Sequence, residues 1–141
     1  MLDKGESILK LLHLYVDEMN YKGTEKLDDD DGEVSMRYSR DIFVAQDGAH
    51  AVRLGVEGNY ANGATFCIFI VGIFKIEASE SISEEMTATL YQDNTVAIMF
   101  PFLRTQLSLL TTQPGISPII IQPMNIVKLF SEAESESQTD K

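Results

Sequence analysis

Hydrophobic and polar residues alternate along the first half of the chain, a pattern typical of half-buried β-strands. The predicted strands cover residues 8–22, 34–44, 51–57 and 64–77. The start of the first run, at residues 8–12, fits the beginning of a helix equally well. Asp47-Gly48 and Asn62-Gly63 separate the last three runs, and both pairs are hairpin signals because their residues tolerate positive φ. We therefore predict an antiparallel meander of three strands, with the N-terminal strand as a fourth.

The run at 64–77 is apolar on both of its faces. One face carries Phe66, Ile68 and Ile70, and the other carries Cys67, Phe69, Val71 and Ile73. Antiparallel sheets commonly leave one face polar, so a strand of this kind needs cover on both sides. Two interpretations are open: either local loops bury the second face, or that face is an oligomer contact or a binding surface.

The second half of the chain has helical spacing. Ser83-Glu84-Glu85 is a helix-start signal, and Asp93-Asn94 punctuates the pattern before a longer helix over 95–112. That helix has two adjacent apolar stripes, one of Ile98, Phe102 and Leu109 and one of Met99, Leu103, Leu107 and Leu110. Pro101 either kinks the helix or lies in its first turn.

Gln113-Pro114-Gly115 ends the long helix. Residues 116–121 are predicted to be extended, and residues 124–130 to form a short amphipathic helix. Residues 131–141 are poor in apolar side chains, which predicts a disordered acidic tail. The expected fold is α+β: one domain over 1–130, with a four-stranded antiparallel sheet and a long and a short helix packed on one face.

Charge and composition restrict the partners. The chain has 141 residues and a net charge of -11, which disfavours nucleic acid and anionic membranes and favours basic or unfolded partners. Cys67 is the only cysteine, which suits a reducing compartment. The N-terminus lacks the features of a signal peptide, and no apolar run approaches the roughly 20 residues of a membrane helix. We expect a cytoplasmic protein without membrane insertion.

The candidate catalytic and metal-binding motifs do not match the residues that such sites require. An EF-hand loop centred on Gly32 would place Leu27 and Tyr38 at positions that need oxygen ligands. The two histidines, His13 and His50, match no zinc spacing. Cys67 lies in an apolar run, where burial would raise its pKa and make it inert. We expect no enzyme activity, no catalytic residues, no metal and no cofactor.

Several segments together resemble the SecB family of protein-export chaperones. They are the strand around Leu14-Tyr15, Gly72-Ile73-Phe74, the helical step from Met99 to Arg104 (MFPFLR), and the segment from Pro118 to Asn125 (PIIIQPMN) running on to Phe130. Their order and spacing match the family over most of residues 10–130. The resemblance implies an ATP-independent holdase, assembled as a homotetramer (a dimer of dimers). It would hold unfolded preproteins or other non-native polypeptides in apolar grooves, keeping them competent for translocation or folding, and pass preproteins to the SecA motor.

The resemblance also implies site residues. The client-binding groove is predicted to contain Phe66, Ile68, Ile70, Phe74, Ile119, Ile121 and Met124. In the family, acidic residues on the exposed sheet face contact the motor. Glu18 keeps one such position, whereas Lys22 stands where an acid is usual and Cys67 and Ile68 occupy a stretch where another is expected. An alternative is therefore a SecB-like module dedicated to one partner, such as the antitoxin of a toxin–antitoxin system.

Overall fold

A computed structural model describes residues 9–26, 33–77 and 82–139 of the chain, with side chains as far as residue 132. Four antiparallel strands form one sheet: β1 Leu9–Lys22, β2 Val34–Val44, β3 His50–Tyr60 and β4 Thr65–Ile76. The order across the sheet is β1-β4-β3-β2, so β1 and β2 are the edges. The predicted meander and its fourth strand are confirmed. The aspartate run that suggested an EF-hand lies outside the described residues.

Both predicted hairpins are present, and their turn chemistry explains them. Gly48 and Gly63 have φ of 89° and 99°, a left-handed region that glycine adopts without steric cost. The side chains of Asp47 and Asn62 each accept a hydrogen bond from the backbone N–H two residues further on, at 3.1 and 3.0 Å. These local interactions fix the register of β2 on β3 and of β3 on β4.

The helical layer begins at α1, Glu84–Thr89, where Ser83 accepts a 3.0 Å hydrogen bond from the Met86 N–H as N-cap. A π-helical stretch, Leu90–Asn94, leads directly into α2, Thr95–Leu110. The prediction that Asp93-Asn94 separates two helices is therefore wrong. A π-helical stretch keeps the backbone hydrogen-bonded, so the helix continues where the sequence suggested a break.

Pro101 lies inside α2, well beyond the helix start. The chain leaves α2 at Thr111, turns at Gly115 with φ of 83°, and runs extended to α3, Ile126–Thr139. Asn125 caps α3 by accepting a hydrogen bond from the Lys128 N–H at 3.0 Å. The helix starts near the predicted position but continues to Thr139, through most of the segment for which we predicted disorder. The Glu, Ala and Gln residues of that segment are good helix formers.

The core lies between one face of the sheet and α2. Alternate side chains of β3 and β4 enter it and meet Met99, Leu103 and Leu107 of the helix. Gly72 permits this packing, because a Cβ at that position would lie 2.7 Å from the Phe74 ring and 3.0 Å from the Met99 sulfur. Helices therefore pack on one face of the sheet, as predicted. No helix among the described residues has both the length and the apolar character needed to cross a membrane.

Candidate binding surfaces

The α2 stripe of Ile98, Phe102 and Leu109 points away from the core. Met99, Leu103 and Leu107 are fully buried, whereas Phe102 is 47% exposed and Leu109 is 60% exposed. Both stripes were predicted from helical spacing, and the structure covers only one of them. Exposed apolar side chains at regular spacing on one helix face are a feature of surfaces that bind another polypeptide.

A groove lies beside this stripe, between α2 and the extended segment that follows it. Its cavity of about 410 Å³ is lined by Pro101, Arg104, Thr105, Ser108, Leu109, Thr112, Ile120 and Ile121. Hydrogen bonds hold the segment on the helix: Arg104 Nε donates to the Ile121 carbonyl at 3.0 Å, and Ser108 Oγ donates to the Ile119 carbonyl at 3.0 Å. We call this feature the α2 groove.

The extended segment presents its side chains alternately. Ile119 and Ile121 are buried against the helix, whereas Ile120 is 68% exposed and Met124 is exposed beyond it. Of the three client-binding residues predicted in this region, Met124 is exposed, Ile121 is 4% exposed but lines the α2 groove, and Ile119 is buried. Our sequence analysis did not include Ile120 among the client-binding residues. Side chains alternate in an extended segment, so burial of Ile119 and Ile121 implies that Ile120 is exposed.

The four sheet residues predicted to bind clients lie in the core. Phe66, Ile68, Ile70 and Phe74 are each at most 3% exposed, beneath the helical layer. They cannot touch a client in this conformation, because α2 occupies the space above them. A client-binding role for these four residues stays a prediction that requires the helical layer to move.

The opposite face of the sheet, which we call the outer face, has no helix over it among the described residues. Its centre is Phe69, whose ring lies flat on the sheet over Gly55, where a Cβ would come within 2.0 Å of the ring. The Arg53 guanidinium stacks on that ring, with its carbon 3.9 Å from the ring centroid. Arg53 thus covers part of this face, as the helices cover the other face, and Gly55 leaves room for the Phe69 ring.

Arg53 also neutralises the acidic residues of this face. Its Nε donates to Asp17 at 2.8 Å, and a terminal nitrogen donates to Glu18 at 3.2 Å. The other Glu18 oxygen accepts from the Cys67 thiol at 3.4 Å. Glu18, the predicted motor contact, therefore has both carboxylate oxygens engaged within the chain.

Cys67 is half-buried on the outer face. Burial raises the pKa of its thiol, and the hydrogen bond to the Glu18 carboxylate raises that pKa further because a thiolate would lie beside a negative charge. A thiol held protonated is a poor nucleophile. The direction of this pKa shift is the one expected for Cys67 from the sequence.

A third apolar region lies on edge strand β1, on the side that faces the helical layer. Leu11, Val16 and Met19 are the register partners of Phe74, Ile70 and Ile68 respectively, yet they are 38–43% exposed. The helical layer lies over β3 and β4 and leaves β1 largely open. A partner surface that extends the layer would bury these side chains.

The fold resembles that of a characterised chaperone. The SecB-like chaperone Rv1957 of Mycobacterium tuberculosis, solved in complex with a ChAD peptide from the HigA1 antitoxin, superposes with a TM-score of 0.70. The match covers 86% of this chain and 94% of that one, at 11% sequence identity, which shows a shared fold. A protein of unknown function from Streptococcus agalactiae matches over 82% of this chain and 97% of its own, at 7% identity and a TM-score of 0.47.

Sequence comparison adds a partial relative and a family. An uncharacterized protein of Methanocaldococcus jannaschii is 36% identical over 50 residues, 34% of this chain and 32% of that protein. The chain thus spans about a third of the length of that curated relative. The family described as preprotein translocase subunit SecB matches residues 9–137, nearly the whole chain and all four strands of the sheet. With its fold and its exposed apolar surfaces, this chain belongs to the SecB family.

Proposed function

We propose that this protein is a holdase, an ATP-independent chaperone that binds unfolded preproteins or other non-native polypeptides. The observation that carries the proposal is the α2 stripe of Ile98, Phe102 and Leu109, whose apolar side chains stay exposed beside a groove. A protein with a net charge of -11 tolerates such a surface because mutual repulsion keeps its molecules apart. Membership of a chaperone family supports the same conclusion and favours a non-enzymatic role.

The binding surface we propose consists of Phe102, Leu109, Ile120 and Met124. Burial of apolar area contributes about 25 cal/mol per Å², so a client segment that covers several of these side chains gains affinity without a specific sequence. Met and Phe side chains adapt to partners of different shape, which suits varied clients. The backbone of the extended segment is already hydrogen-bonded to α2, so the surface is preorganised.

The matched pair Ile120→Asp and Val44→Asp tests this assignment. Both side chains are 68% exposed, but Val44 lies at the far end of β2 and not at the α2 groove. We expect Ile120→Asp to weaken the binding of a permanently unfolded, fluorescently labelled polypeptide by about tenfold, since a charge placed in an apolar contact must be desolvated. Val44→Asp should bind normally. Equal effects of the two variants would refute the α2 groove as the client site.

The fold match to Rv1957 favours a second candidate function, that of a module dedicated to one partner. That chaperone was solved with a peptide from an antitoxin. A dedicated module would keep its partner in the presence of excess unrelated unfolded protein, whereas a general holdase would exchange it. Competition of this kind, with whichever polypeptide co-purifies as the labelled ligand, separates the two functions.

We further propose that the protein is a cytoplasmic homotetramer, a dimer of dimers. The open side of β1, with Leu11, Val16 and Met19 exposed, supports assembly because a second copy would extend the helical layer over it. Light scattering should give four times the chain mass at micromolar concentration, and a monomer there would overturn the proposal.

We also propose Glu18 as a contact for the SecA motor, the partner that the family role implies. Arg53 and Cys67 already contact both oxygens of that carboxylate, so a basic motor segment would share the carboxylate with them. Loss of SecA binding in Glu18→Ala would support the contact, and unchanged binding would remove it.

A further inference from the structure

The outer face differs in charge from the rest of the chain. The strand register and the ion pairs place nine charged residues on the same face as Phe69. They are Lys10, Asp17, Glu18, Lys22, Arg37, Asp41, Arg53, Glu57 and Lys75. This set contains five of the 11 basic residues but only four of the 22 acidic ones. Within the four strands, the outer face therefore has a net charge of +1, and the remainder of the chain has a net charge of -12.

Most of the charges of this face are already paired. Arg53 holds Asp17 and Glu18, and Arg37 bonds to Glu57. Four of the nine charged residues are in no ion pair within the described chain: Lys10, Lys22, Lys75 and Asp41. The charge that this surface can offer a partner is thus mainly positive.

Two of the three unpaired lysines lie where β1 and β4 meet at one end of the sheet. Lys10 and Lys75 are direct register partners on neighbouring strands, so their side chains rise side by side from the same face. Like charges directly opposite each other destabilise a sheet. The third unpaired lysine, Lys22, lies at the other end of β1, where its register partner is Thr65. An acidic group placed between Lys10 and Lys75 would remove the repulsion.

Apolar side chains lie beside these lysines. Ile73 and Phe69 are half-buried on β4, and Tyr15 is 41% exposed on β1. Since the outer face carries no helix in the described part of the chain, this stripe is open to a partner. A ligand that matches both features has acidic groups next to aliphatic or aromatic ones.

We propose that the outer face is a docking surface for an acidic protein segment that carries apolar side chains. A second copy fits poorly, because its own outer face has the same sign of free charge. Nucleic acid fits poorly as well, because four carboxylates stand among the lysines and the rest of the chain repels a polyanion. At physiological salt, charges beyond about 8 Å are screened, so the local lysines outweigh the net charge of the whole chain.

Two labelled peptides of equal length test the proposal. They share the same apolar residues, flanked by Glu in one peptide and by Lys in the other. Fluorescence anisotropy should show tighter binding of the acidic peptide, with an affinity that falls as salt is raised. The double variant Lys10→Glu with Lys75→Glu should weaken its binding by about tenfold, because two attractions become repulsions.

The matched control reverses the same number of charges at lysines outside the four strands. Lys26 and Lys128 are both exposed, and Lys26→Glu with Lys128→Glu should leave the affinity for the acidic peptide unchanged. The variant Lys10→Gln with Lys75→Gln removes the charges without adding acids, and it should show an intermediate loss.

Four results would overturn the docking surface: preference for the basic peptide, equal losses in the two Glu double variants, tighter binding of a single-stranded oligonucleotide, or a change in oligomeric state with unchanged peptide affinity. An uncharged unfolded client should bind all of these variants normally, because its proposed site is the α2 groove. Failure of the docking surface and failure of the holdase function would therefore be seen separately.

Discussion

Replacement of Ile68 by Ala distinguishes a core residue from a client-binding residue. Ile68 is completely buried, with Val56 of β3 and Met19 of β1 as its register partners. The substitution removes three carbon atoms, and at about 0.8 kcal/mol per buried methylene the loss of transfer free energy is about 2.4 kcal/mol. The cavity left under α2 adds to this, so we expect the free energy of unfolding to fall by about 3–4 kcal/mol.

Urea denaturation at a fixed protein concentration measures this effect. With a slope of about 1–3 kcal/mol/M, a loss of 3 kcal/mol lowers the midpoint by about 1–3 M. The fixed concentration matters because assembly couples to folding. Client affinity, measured under conditions where the variant is folded, should be unchanged.

Cys67→Ala is the matched control on the same strand. Its side chain lies on the outer face and is only half-buried, so the free energy of unfolding should change by less than about 1 kcal/mol. A stability loss below about 0.5 kcal/mol for Ile68→Ala, together with weaker client binding, would refute the core assignment. Ile68 would then belong to the client groove.

Three further predictions follow from single contacts. Gly72→Ala should lower the free energy of unfolding by about 1–3 kcal/mol in thermal melts, because the new Cβ would crowd the Phe74 ring and the Met99 sulfur; an unchanged melting temperature would contradict this. Glu18→Gln should lower the pKa of Cys67 and speed its reaction with a thiol reagent as pH rises, since the carboxylate no longer favours the protonated thiol. In the natural protein this raised pKa stabilises the fold below the ordinary thiol pKa, and the stabilisation is lost as pH rises through the folded value. Ser83→Ala should cost about 0.5–2 kcal/mol through loss of the N-cap, measurable in urea, whereas Ser83→Asp should retain stability.

The strands and hairpins could be predicted because their determinants are local. Alternation over a few residues sets each strand, and Asp47-Gly48 and Asn62-Gly63 set the turns. The join at Asp93-Asn94 could not be predicted in the same way. Residues with low helix propensity do not end a helix when the backbone stays hydrogen-bonded through a π-helical stretch, and packing on both sides of the join favours continuation.

The sequence showed that β4 has two apolar faces, but it did not indicate which of them the helices cover. Phe66, Ile68 and Ile70 on one side and Phe69, Val71 and Ile73 on the other are equally apolar, so the choice depends on the path of the chain after β4. The four client-binding residues that we predicted on the sheet lie on the face that the helices cover. The contacts of Arg53 depend on the register of β1 on β4, which shifts between Leu11 and His13 and between Val16 and Glu18, and no local pattern reveals such shifts.

The most direct test of the proposed function is selectivity for unfolded chains. A permanently unfolded, fluorescently labelled polypeptide is titrated with the protein in the absence of nucleotide, with the same polypeptide in its folded form as control. We predict micromolar or tighter binding of the unfolded form and none of the folded form. Absence of binding to the unfolded form, or equal binding of both forms, would contradict the holdase function.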